Sequence, residues 1–125
     1  MPPLMTDNCF PKELRLRKPA EFERVYKARI YAADDVLIAN GCSSDLPHAR
    51  LGLSVSRKVG NAVVRNRWKR RIREAFRLSK GELPAGIDLV LRPQKGATAD
   101  FHAILRSLPA LAERIARKLS RERRP

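Results

Sequence analysis

One segment, Asn61–Ser79, constrains what this chain can fold into more than any other. At the helical repeat, Val64, Trp68, Ile72, Ala75 and Phe76 fall on one face. Lys69, Arg70, Arg73, Arg77 and Asn66 fall opposite, and Arg65, Arg67 and Arg71 lie on the flanks. A helix of this kind must lay its apolar stripe on a sheet or on other helices and leave its cations outside. Asn61 is a good N-cap, and Gly81 is the predicted stop.

The cations are concentrated as well as numerous. Of 27 Lys and Arg against 13 Asp and Glu, ten bases and one acid lie in Arg57–Lys80, and six bases and one acid lie in Arg114–Pro125. These segments carry +9 and +5, which together equal the whole net charge of +14, so the remaining residues sum to zero. Such clustering is the footprint of a polyanion binder. A solubilising surface would intersperse the two signs. Arg outnumbers Lys by 19 to 8, which favours bidentate phosphate contact and stacking on bases.

The rest of the chain supplies a small core. A length of 125 residues suggests one domain, and 43% apolar residues suit a folded chain. Pro19 opens a short helix to about Ala28, with Phe22, Val25 and Tyr26 at helical spacing. Arg29-Ile30-Tyr31 begins an extended segment. Val36–Ala39 reads as a strand closed by Asn40-Gly41, and Leu51–Ser56 as a half-buried strand with Leu51, Leu53 and Val55 on the covered face. Arg57–Gly60 is a loop. Ile87–Leu91 is a near-continuous apolar strand, as expected where both faces are covered. The last helix starts at Thr98 or Asp100 and keeps its apolar spacing to Leu119, and Pro109 predicts a kink or break near Ser107. The order helix, strands, helix, strand, helix suits an α+β sandwich on a small mixed sheet. Residues 1–9 read as a loose tail, 10–119 as a single domain and 120–125 as a basic tail.

Several functions are disfavoured. No apolar run approaches the ~20 residues of a membrane span, and the N-terminus has no signal-peptide pattern. Cys9 and Cys42 make no disulfide framework, so a reducing cytoplasm is the expected compartment. His48 and His102 lie in unrelated elements. Asp34 and Asp35 are the only adjacent acids, and neighbours in extended chain point to opposite faces, so neither a catalytic site nor a metal site is expected. The residues therefore describe a binding protein without a catalytic centre of its own. A structural RNA-binding protein fits the charge equally well. A DNA-binding module fits less well, because the cationic helix has few neutral base-reading side chains.

The stretch Ser56–Phe76, SRKVGNAVVRNRWKRRIREAF, resembles the signature of the bacterial ribonuclease P protein subunit. Leu16–Tyr26, Leu51–Ser56 and Asp88–Pro93 are similar to the first helix and the flanking strands of that family, and the likeness runs from about Phe10 to Leu119. It implies an α/β sandwich with a left-handed βαβ crossover, as in domains of some ribosomal proteins, in place of the commoner right-handed one. It further implies a monomeric protein that joins a catalytic RNA and grips the 5′ leader of precursor tRNA while the holoenzyme removes that leader by hydrolysis. The active site and its magnesium ions belong to the RNA, with no cofactor on the protein. On the motif helix, Arg65, Asn66, Arg67, Lys69, Arg70 and Arg73 match the RNA-contacting positions, and Arg57, Lys58 and Asn61 match the adjoining loop and cap. Phe22 and Tyr26, with Phe10, match the leader-binding cleft between the first helix and the sheet. Phe22 fits the core as well as the cleft, Trp68 reads as core, and Arg71 reads as a contact or a tether.

Overall fold

The computed structural model describes residues 12–122. Its elements are α1 (Pro19–Lys27), β1 (Ile30–Ala33), β2 (Leu37–Ser43), β3 (Arg50–Leu53), α2 (Ala62–Ser79), β4 (Ile87–Pro93) and α3 (Phe101–Glu122), with single 3-10 turns at Lys12–Leu14, Arg57–Val59 and Lys80–Glu82. The four strands form one mixed sheet in the order β1-β2-β4-β3. β2 pairs antiparallel with β1 and β4, while β3 and β4 are parallel and joined through α2. This is the α+β sandwich that the residue pattern implies.

Strand alternation sorts the side chains into two layers. Ile30, Ala32, Leu37, Ala39, Leu51, Ile87, Leu89 and Leu91 face α2 and α3, where Trp68, Ile72, Phe76, Ile104, Leu108, Leu111 and Ile115 complete the main core. The opposite face holds a smaller cluster of Leu16, Val25, Cys42 and Val90, against which Phe22 and Ala28 of the α1 segment pack. With α1 on one face and two helices on the other, β4 is buried from Ile87 to Leu91, as its unbroken apolar run predicts.

The structure corrects three local expectations. Asn40-Gly41 does not close a strand: β2 runs through both residues to Ser43. The turn lies upstream at Asp34, whose side chain accepts the Val36 and Leu37 amides. Gly41 serves helix packing instead, since a Cβ there would stand 2.5 Å from Cγ2 of Ile115 in α3. Secondly, Gly81 is not a left-handed helix stop; α2 ends at Ser79 and passes into the 3-10 turn. Thirdly, α3 runs unbroken through Pro109 to Glu122, so Ser120 and Arg121 are helical rather than tail. Pro109 costs a helix roughly 3 kcal/mol. Burial of Ile104, Leu108, Leu111 and Ile115 on both sides of it offsets that cost, helped by the Ser107 hydroxyl donating to the Asp34 carboxylate.

Both sheet edges are covered. On the β3 side, Arg15 bridges to Leu51, and the Leu16 amide donates to the Leu51 carbonyl. On the β1 side, Lys118 donates to the Tyr31 carbonyl and Arg114 to the Ala33 carbonyl. An exposed strand edge is a template for association, and side-chain cations blunt it.

Candidate nucleic-acid interface

The motif helix forms for the local reasons its sequence gives. Asn61 accepts the Val64 amide at 3.0 Å, the predicted cap. Gly60 precedes it at φ +154°, a backbone region that side chains rarely adopt, and a Cβ there would press within 3.0 Å of Val64. Trp68, Ile72, Ala75 and Phe76 are buried. The helix is therefore fixed in rotation, and its cations have one outward direction.

The side chains named from the sequence do not all end up equivalent. Arg57, Lys58, Asn66, Arg67, Arg70 and Arg73 are exposed, whereas Arg65 and Lys69 are half-buried. Among the described residues, none of the cations in this group forms an ion pair with a carboxylate. Burial and the neighbouring charge of Arg15 hold the Arg73 pKa below the usual arginine value. The Arg65 Nε is buried and meets no protein acceptor. A second set of cations is already engaged. Arg71 donates to the Ala99 carbonyl ahead of α3, a tie to that segment and not to the sheet or an acid. Arg77, on the same face as Arg70, is held by Glu74 through two bonds of 2.8 and 2.7 Å. In the C-terminal basic stretch, Arg114 and Lys118 serve the β1 edge and Arg117 pairs with Glu113.

The second candidate region lies on α1. Phe22 is half-buried: its ring sits where a Cβ on Gly52 would be 2.9 Å away, so it is partly core. Its other side joins Pro19, Glu23, Tyr26, Lys27 and Arg29 around an open groove, with Tyr26 38% exposed. Phe22 thus belongs to both readings. Phe10 lies outside the described residues. The residue pattern leaves Lys27 and Arg29 unassigned, and also Tyr31, 58% exposed on β1 with the Lys118 ammonium 5.3 Å from its ring centre. The signal for Tyr31 was available, since Ile30 and Ala32 point into the core and period two sends Tyr31 outward. By register, Tyr31, Ile38, Asn40 and Arg92 share the α1 side of the sheet. The Arg92 Nε is buried without a protein acceptor, and its Nη2 reaches Asn40 Oδ1 at 3.4 Å.

One buried carboxylate lies at the centre of the ion pairs that reach α1. Asp88 of β4 is fully buried and accepts two bonds from Arg50, Nε to Oδ1 at 2.9 Å and Nη2 to Oδ2 at 2.7 Å, and a third from Arg24 of α1. Arg50 also meets Glu21 at 3.2 Å. Glu21 accepts the Arg17 and Lys18 amides, and these bonds hold its carboxyl below the usual range.

The chain shares this arrangement with known proteins. The family model described as Ribonuclease P matches residues 10–116. The ribonuclease P protein component of Desulfovibrio desulfuricans is 40% identical over 116 residues, 87% of this chain and 88% of that one. Its counterpart from a Psychrobacter species is 36% identical over 122 residues, 96% and 92% of the two chains. Among solved structures, the Staphylococcus aureus RNase P protein superposes with a TM-score of 0.70 at 34% identity, covering 80% of this chain and 93% of its own. That of Thermotoga maritima gives 0.74 at 32%, covering 80% and 96%. With a capped cationic helix on a mixed sheet, and a family match across most of its length, this chain belongs to the bacterial ribonuclease P protein family.

Proposed function

We propose that this chain is the cytoplasmic protein subunit of ribonuclease P, joining the catalytic RNA as a monomer and helping it remove the 5′ leader of precursor tRNA. The observation that carries the reading is the set of α2 cations that meet no carboxylate among the described residues, Arg65, Arg67, Lys69, Arg70 and Arg73, on a helix whose other face is locked in the core. Arg57, Lys58, Arg65, Arg67, Lys69, Arg70 and Arg73 neutralise phosphates of the catalytic RNA, and Asn66 hydrogen-bonds its sugars or bases. Asn61 acts mainly by capping the helix that carries them. The groove beside α1 takes the leader: Phe22 and Tyr26 stack its bases and Lys27 and Arg29 meet its phosphates. Stacking is tolerant of base identity, which suits leaders of varied sequence.

Hydrolysis itself is assigned to the RNA. In this reading the magnesium ions are held by the catalytic RNA, and the buried acid Asp88 serves two arginines of the protein. The test is cleavage of a precursor tRNA at moderate magnesium by a bacterial catalytic RNA alone, by the protein alone and by the two together. Efficient cleavage by the combination only is the expected result. Cleavage by the protein alone, or no gain over the RNA alone, would refute it.

A further inference from the structure

We propose that Asp88 is a positioning residue for the leader: through Arg24 and Arg50 it sets where α1 stands on the sheet, and so where Phe22 and Tyr26 meet RNA. The inference rests on the reading of the α1 groove as the leader site.

The packing of α1 is sparse. Its only fully buried residue is Val25, set against the small cluster of Leu16, Cys42 and Val90. Apolar contact of that extent, even with the Phe22 ring over Gly52, is non-directional and does not by itself define where the helix stands. Directional bonds remove that freedom. Arg24, in the middle of α1, reaches Asp88 and also donates to the Ser43 carbonyl at 3.0 Å. Glu21, in the first turn, is reached by Arg50, which grips the same Asp88 from β3. Asp88 and Arg50 are direct partners across the parallel pair β3–β4, so the anchor is part of the rigid sheet. The helix is thus tied at two successive turns to one buried carboxylate. Phe22 lies between the two tethered residues, and Tyr26 follows one turn after Phe22.

A carboxylate at the centre of a polyanion-binding protein also makes the idea separable from simple electrostatics. Asp88→Asn raises the net charge of +14 by one unit, and charge alone would tighten every RNA complex. Arg24→Ala lowers the charge by one and would weaken every complex. Positioning predicts a common result from these opposite changes: both variants lose preference for precursor over mature tRNA.

The experiment is the dissociation constant of reconstituted holoenzyme for precursor and for mature tRNA, with the affinity of each protein for the catalytic RNA measured alongside. Asp88→Asn and Arg24→Ala are expected to reduce the precursor preference by roughly fivefold or more, the scale of one misplaced stacked base. Their affinity for the catalytic RNA should stay within about twofold, because α2 packs on the opposite face of the sheet. Should Asp88→Asn fail to fold, Arg24→Ala decides, since it keeps the Arg50–Asp88 pair intact. Tyr26→Ala is the control for the underlying reading. If Tyr26→Ala loses the preference and the two anchor variants keep it, Asp88 is only a stabilising group and the inference is wrong. If Tyr26→Ala also keeps it, the leader site is not at α1 and both readings fall.

Discussion

Arg70 and Arg77 offer a matched test of the proposal that α2 binds RNA through its outward face. They are seven residues apart on one helix face, carry the same charge and are both exposed. They differ in their partners: Arg77 is engaged by Glu74, and Arg70 meets no carboxylate. Each phosphate that a cation neutralises contributes about 0.7–0.9 to the slope of log affinity against log salt. If all seven cations proposed for the interface bind phosphates, the slope for the catalytic RNA is roughly −5 to −6. Arg70→Ala should flatten it by about 0.8, so that the loss of affinity between 50 and 200 mM salt shrinks by about threefold. Arg77→Ala should leave the slope within error, since its guanidinium is already neutralised. The assay is titration of folded protein against catalytic RNA at four or more salt concentrations. Equal flattening by the two variants would show that net charge matters and the helix face does not, which would refute the geometric argument.

Other predictions concern stability and the C-terminal helix. Arg114→Ala with Lys118→Ala should leave the salt slope unchanged while uncovering the β1 edge, detectable as concentration-dependent dimerisation by light scattering. Gly41→Ala should cost about 1–3 kcal/mol in urea unfolding through its clash with Ile115, whereas Gly81→Ala, with nothing within 4 Å of its Cβ, should be tolerated. Burial acts to raise the Asp34 pKa, but the Ser107 hydroxyl, the Leu37 and Val36 amides and the Arg114 charge outweigh it and lower it below the ordinary value. A lowered folded-state value means stability that is present above the unfolded pKa of ~4 and lost as pH falls through the folded one. Asp34→Asn should accordingly reduce the drop in melting temperature between about pH 5 and pH 3.

The parts of this molecule legible in its sequence are those set by local pattern. The rotation of α2, the burial of Trp68, the Asn61 cap and the double coverage of β4 all follow from spacing within one element. Asn40-Gly41 misled because that pair is a strong hairpin signal, while its actual use depends on Ile115, far along the chain in α3. Pro109 misled because the packing that overrides it is tertiary. The anchor of α1 was out of reach for the same reason: Arg50 and Asp88 are 38 residues apart, and Arg24 and Asp88 are 64 apart. Nothing in periodicity pairs them. Only the sheet order, which places β3 beside β4 and α1 across β2 and β4, brings three charges from three elements together.

That distribution of charge explains how so cationic a chain stays folded and still binds RNA. The described acids that form ion pairs, Glu21, Glu23, Glu74, Asp88 and Glu113, engage Arg50, Lys27, Arg77, Arg24 and Arg117, all outside the group proposed for the catalytic RNA. Neutralisation is spent on holding α1, α2 and α3, and the loop and outward face leading through α2 are left with their mutual repulsion. Such repulsion opposes the compact state in the free protein. Phosphates placed against the face remove it, so the folded state gains stability in the complex beyond the contacts themselves. The same cations that repel one another in the free domain are therefore the ones whose phosphate contacts stabilise the RNA-bound form, the one carboxylate of α2, Glu74, being already engaged by Arg77.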